Sequence, residues 1–117
     1  MRILFTIVAA FGNFNLLIPL ARAFQSQGHD VAFATAARFG RVVEGAGFAA
    51  IPAGLDILHN EYVQHLPPGP IGPARFAEIF IDGLAEPMLT DLLRIIPAWC
   101  PDLIVHDVVE FGGLTAA

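Results

Sequence analysis

The 117-residue chain has no lysine, one cysteine, one tryptophan and one tyrosine. Each scarcity closes off a class of function. A phosphate loop of the form GxxxxGK[ST] needs a lysine on the phosphates, so that chemistry is excluded. Six arginines against eleven acids leave a net charge of −5, with no basic cluster. That balance argues against nucleic acid or an anionic membrane as partner. Cys100 stands alone, which removes an internal disulfide and a cysteine-based zinc site. Long hydrophobic runs are missing too. The chain is 56% hydrophobic, yet its longest run, Ile3–Phe11, is interrupted by Thr6. A bilayer span needs roughly 20 apolar residues, so none is expected. Gly12, Asn13 and Asn15 break that run too early for a secretory leader. A cytoplasmic protein is expected.

What is present reads as alternating strands and helices. Arg2–Val8 is a strand without polar alternation, the pattern of a parallel sheet covered on both faces. Ala9–Asn13 is a turn. Asn15 is placed as the N-cap of a helix from Leu16 to Gln27, with Pro19 in its first turn and Gly28 at its C-terminal end. Leu16, Leu17, Leu20, Ala23 and Phe24 form its apolar stripe. Val31–Thr35 is the second strand, and the helix between the two strands makes a right-handed βαβ unit. Thr35 caps a second helix, Ala36–Ala46, and Phe48–Pro52 is a third strand.

Residues 53–73 are rich in proline and glycine and carry no steady period. They read as a long binding loop, with one helical turn around Ile57–Val63 and with Leu55, Ile57, Leu58, Tyr62 and Leu66 to pack it. Ala74–Ile96 returns to helical spacing, kinked or divided at Pro87, and Pro97 to Pro101 stop it. Leu103–His106 is a fourth strand with Asp107 at its tip, and residues 112–117 look like the start of another helix.

Four strands in this rhythm predict an α/β fold: a doubly wound, mostly parallel, Rossmann-like sheet. The expected order 3-2-1-4 sets strand one beside strand four. The loop Ala9–Asn13 and the tip His106-Asp107 then share one crevice at the carboxyl ends of the strands. Dinucleotide binding there would need a glycine-rich turn and an acid ending strand two. The turn has only Gly12, and strand two ends in Thr35-Ala36. A nucleotide- or dinucleotide-binding domain of another class is therefore a weak reading, and sugar transfer to a small acceptor is a further chemistry such a crevice could use.

The stretches MRILFTIVAAFGNFNLLIPLARAFQSQGHDVAFAT, VVEGAGFAAIPAGLD and PDLIVHD carry a resemblance. They are similar to the N-terminal half of family-one, GT-B-fold glycosyltransferases, the enzymes that decorate macrolides, polyketides and plant metabolites. The similarity covers Met1–Asp56 and resumes at Pro101–Ala117. It implies a partial, acceptor-binding Rossmann-like domain over residues 1–117, without the C-terminal nucleotide-sugar domain. It also implies inverting transfer of a hexose or deoxyhexose from a nucleotide-diphosphate sugar, the co-substrate, to a hydroxyl of a small apolar acceptor such as a polyketide or macrolide. No other cofactor and no metal is implied. In the family the turn after strand one carries a histidine general base, oriented by an acid at the tip of strand four. A histidine suits that task because it titrates near working pH. Here the histidine position is Asn13, and the acid is kept as Asp107. An amide cannot take up a proton near neutral pH. Base duty falls to Asp107, to His106 or to no residue. No turnover is expected of the chain alone, and a non-catalytic remnant or small-molecule binding module is the competing reading.

Asn13 and Asp107 are thus the candidate catalytic pair. Gly12, Phe14, His106, Tyr62 and Phe76 are the candidate acceptor contacts. Each has a plainer reading. Asn13 is also a turn residue, Asp107 a helix cap, and Phe14, Tyr62, Phe76 and Phe80 ordinary core. Glu110 either faces the crevice or sits in a helix's first turn, where an acid favours the dipole. His59 and His65 have no third ligand for a metal, and His29 is structural. A four-stranded fold ending as a helix begins is expected to be weakly stable or to self-associate.

Overall fold

In the computed structural model, residues 1–57 and 61–117 are described, with the backbone alone for Glu61 and Tyr62. β1 (Arg2–Thr6), β2 (Asp30–Thr35), β3 (Ala49–Pro52) and β4 (Leu103–His106) form one parallel sheet in the order β3-β2-β1-β4. Phe5 of β1 lies opposite Phe33 of β2 and Val105 of β4. The sequence-level order is the observed one, and β1 and β4 are neighbours.

Alternation along β1 sends Ile3, Phe5 and Ile7 to one face and Leu4 to the other. On the first face they meet α1 (Phe11–Ser26) and α2 (Gly40–Gly45) through Phe14, Ala21 and Val43, all buried. Aromatic rings fill this layer. Phe5 stacks on Phe33 at 4.8 Å, and Phe14 stands edge-on to Phe33 at 5.1 Å and to Phe39 at 5.7 Å. On the second face Leu4, Ala32 and Ala34 pack against Met88 and Leu92. The two alanines of β2 leave room for the incoming helix.

That helix is the end of a long helical body over residues 73–99. It begins as α4 (Pro73–Phe76), widens into a π-helical stretch Ala77–Ala85, and continues as α5 (Glu86–Trp99). Pro87 is the second residue of α5, where the π-helical stretch gives way to α-helix. α3 (Glu61–Gln64) and α6 (Phe111–Ala116) complete the fold. Of the loop 53–73, Ile57, Val63 and Leu66 pack against Val8, Ile79 and Leu84. Leu58, His59 and Asn60 and the side chain of Tyr62 lie outside the described residues.

Four local expectations are corrected. α1 starts at Phe11 with Ala10 as N-cap, so Asn15 caps nothing and Pro19 lies inside the helix. Pro19 leaves the Asn15 carbonyl without its intrahelical donor, on a face open to water. The earlier start also rotates the helix. Leu16 is 81% exposed and Leu20 44%, while Phe14 and Ala21 are buried in their place. Thr35 ends β2, and its buried hydroxyl has no hydrogen-bond partner, so it is not a cap. Ala36 precedes a short 3₁₀ turn, Ala37–Phe39, before α2, instead of one helix from 36 to 46. The helix expected to close at Ile96 runs on through Pro97 and ends at Trp99, inside the expected Pro97–Pro101 stop, where Cys100 takes a left-handed conformation at φ 51°.

Candidate functional site

The carboxyl ends of β1 and β4 meet in a turn held by backbone bonds. Asp107 N donates to Thr6 O at 2.9 Å, and Glu110 N donates to Asp107 O at 3.0 Å. Asp107 is 5% exposed. Its Oδ2 accepts from Asn13 Nδ2 at 2.7 Å and from Val8 N at 3.4 Å, and its Oδ1 accepts from Val109 N at 3.2 Å. These N–H groups compensate the burial of a carboxylate that has no cation beside it among the described residues. Asn13 reaches Asp107 because α1 begins at Phe11, which puts Asn13 in its first turn, facing β4.

The amide orientation follows from that bond. A carboxylate only accepts, so Asn13 turns its NH₂ to Asp107 and keeps Oδ1 for another donor. The arrangement can hold a hydroxyl group. Asn13 cannot deprotonate it, and the Asp107 oxygens are already engaged by three N–H donors. His106 is at the strand tip and exposed, and its Nδ1–H donates to the carbonyl of Asp107 at 2.9 Å.

The other sequence candidates divide. Gly12 is exposed at the start of α1, with open space where a side chain would stand. Phe14 is corrected: it is 1% exposed in the core between sheet and helices, so it lines no crevice. Phe76 is half-buried, tilted against Phe80 at 4.7 Å and edge-on to Phe111 at 6.1 Å. Tyr62 belongs to the side chains outside the described residues. No group of three metal-binding side chains occurs among the described residues.

A narrow cleft adjoins the pair, lined by Val8, Leu55, Phe80, Val109, Glu110 and Phe111 among others. Its free space is about 10 Å³, room for a single water. Sequence reasoning undervalued two features here. Phe11, 61% exposed at the start of α1, stands edge-on to Phe39 at 5.3 Å. Glu110, 3% exposed, is the N-cap of α6: Oε1 accepts from Gly112 N at 2.6 Å and Oε2 from Gly113 N at 2.8 Å. Its signal was an acid immediately before the Phe-Gly-Gly that opens a helix. Glutamate is not among the preferred N-cap residues, which hid it.

No family model matches the chain. Curated relatives do. The whole chain aligns with aklavinone 7-beta-L-rhodosaminyltransferase of Streptomyces galilaeus at 28% identity, covering 32% of that protein. It aligns with 10-deoxymethynolide desosaminyltransferase of Streptomyces venezuelae at 30% identity, covering 33%. Among solved structures, glycosyltransferase SsfS6 of Streptomyces sp. SF2575 superposes on the whole chain with a TM-score of 0.83 at 25% identity, over 36% of its own chain. The chain thus spans about a third of the length of the relatives it matches. Over that whole span, this chain is homologous to the GT-B glycosyltransferases of macrolide and polyketide biosynthesis.

Proposed function

We propose that this chain supplies the acceptor-holding part of an inverting sugar-transfer site, with the crevice at Asn13 and Asp107 as the place of the acceptor hydroxyl. The observation that carries the reading is the 2.7 Å bond from Asn13 Nδ2 to Asp107 Oδ2 at the carboxyl ends of β1 and β4. It turns Asn13 Oδ1 outward as an acceptor for a substrate O–H. The apolar side chains of Leu55 and Phe111, which line the adjoining cleft with Val8, suit a small apolar acceptor. In the complete reaction the acceptor oxygen attacks the anomeric carbon of a nucleotide-diphosphate sugar. The bond from that carbon to the diphosphate breaks, and the hydroxyl proton passes to the departing diphosphate or to water. Asn13 orients the hydroxyl and leaves it protonated. Asp107 fixes Asn13 and adds negative charge beside the reacting oxygen.

The same residues support a second reading, a binding module without turnover, favoured by the amide in the base position. Both readings require acceptor binding. Isothermal titration of the full chain with aklavinone and 10-deoxymethynolide, with NAD as the contrast, tests this. Saturable binding of an aglycone that Asn13→Ala weakens about tenfold, the worth of one hydrogen bond to a hydroxyl, is the expected result. Saturable NAD binding without aglycone binding would replace sugar transfer by a dinucleotide site.

A further inference from the structure

Glu110 stands three residues beyond Asp107, on the wall of the narrow cleft, and its carboxylate bonds Gly112 N and Gly113 N, not Asn13 or the Asp107 carboxylate. Its place in the fold nevertheless ties it to both. The turn 107–110 is anchored at its start by Asp107 N on Thr6 O and closed by Glu110 N on Asp107 O. At the far end the Glu110 carboxylate takes both Gly112 N and Gly113 N. Those glycines are wedged in place. A Cβ at Gly112 would lie 2.7 Å from Met88 Cβ, and one at Gly113 would lie 2.9 Å from Thr6 Cβ and closer still to Thr6 Oγ1. The first turn of α6 therefore sits hard against β1 and α5, and Glu110 is its link to the turn that carries Asp107.

Glutamate is an uncommon N-cap, and a serine would satisfy one N–H at a smaller burial cost. Here the longer side chain spans two donors at once. Two charge-assisted bonds hold the cap more firmly than one neutral bond would. No cation pairs with Glu110 among the described residues, so these donors are what compensates its charge.

We propose that Glu110 is a positioning residue for the Asn13–Asp107 pair: by clamping the first turn of α6 it fixes the turn 107–110 and sets the Asp107 carboxylate against Asn13. The inference rests on the acceptor-site reading for its functional meaning. Its test uses no acceptor, so either can fail without the other.

The experiment is nuclear magnetic resonance on the labelled full chain, reading the Asn13 side-chain NH₂ and the Asp107 carboxyl carbon. Thermal midpoints are measured in parallel. Glu110→Gln keeps the length but exchanges one acceptor oxygen for an NH₂. We expect the Asn13 and Asp107 signals to shift, and the Asn13 amide protons to exchange with water about tenfold faster, the scale set by one lost charge-assisted bond. Val43→Ala, in the core on the opposite face, lowers the midpoint at least as far and leaves those signals in place. Glu110→Asp keeps the charge, reaches one N–H, and gives an intermediate shift. It also carries the test if Glu110→Gln does not fold. Unmoved Asn13 and Asp107 signals in the folded Glu110 variants would make Glu110 a helix cap and nothing more. An equal shift in Val43→Ala would likewise overturn the proposal.

Discussion

Replacing Gly113 by alanine probes the packing that places the crevice. The added methyl meets Thr6 Oγ1 inside contact distance, Glu110 Oε2 at 2.6 Å and Thr6 Cβ at 2.9 Å. Thr6 is fully buried in β1 and cannot retreat. Glu110 can retreat only by giving up its bond to Gly113 N. Overpacking of this kind costs about 1–3 kcal/mol, and a weakened cap about 1 kcal/mol more. The sum of about 2–4 kcal/mol is large against the 5–15 kcal/mol of an ordinary domain. It corresponds to a fall of roughly 10–15 °C in melting temperature for a chain of this size. Thermal unfolding followed by circular dichroism measures it. A companion substitution isolates the cause. Thr6 Oγ1 has no hydrogen-bond partner, so Thr6→Ala removes the obstructing oxygen without breaking a bond. In the background of Gly113→Ala it should restore about 1–2 kcal/mol, an interaction energy of the size expected between touching residues. A Gly113→Ala protein melting within 2 °C of the parent, or a double variant no better than the single, would refute this account of the packing.

Other outcomes follow from the same geometry. Asp107→Asn leaves Asn13, Val8 and Val109 facing a neutral amide with one acceptor oxygen, and chemical denaturation should show a loss of about 1–3 kcal/mol. Asn13→His sets an imidazole beside the Asp107 carboxylate, which raises its pKa above the ordinary value of about 6.5. A group whose folded pKa is raised stabilises the fold below its unfolded pKa, and that gain is lost as pH rises through the folded value. The variant should therefore gain melting temperature over the parent at pH 5.5 and lose that gain by pH 8.5; a flat difference across that range would contradict the contact. Phe14→Ala removes the ring that meets Phe33, Phe39 and Phe48 and should cost about 3–5 kcal/mol, whereas Phe14→Leu should fold and bind acceptor like the parent.

The sheet was legible because its strands are unbroken apolar runs, and a parallel βαβ rhythm leaves few strand orders. Leu103–His106 was placed to the residue, and the meeting of Asn13 with Asp107 followed from topology before any side chain was seen. The helix starts were harder. α1 has no side-chain cap, so no cap residue marked Phe11, and Asn15 drew the boundary five residues late. Moving the start moved the buried stripe, which is why Leu16 and Leu20 were assigned inward and Phe14 was left between acceptor contact and core. Thr35 misled in the opposite sense, since a threonine before a helix-like stretch reads as a cap whether or not its hydroxyl is free to turn. Glu110 carried a local signal as a cap before Phe-Gly-Gly, but the wedging of Gly112 and Gly113 against Met88 and Thr6 is a tertiary fact with no local signature.

The central claim is that the Asn13–Asp107 crevice holds an acceptor hydroxyl. The most direct measurement is titration of the labelled full chain with 10-deoxymethynolide or aklavinone while the Asn13 side-chain amide is observed. The account predicts a saturable shift of that amide and of the neighbouring Phe11, Gly12 and Val109 backbone signals, with the shift of the Asn13 region absent in Asp107→Ala. Saturable binding that leaves Asn13 untouched and moves signals elsewhere would contradict it.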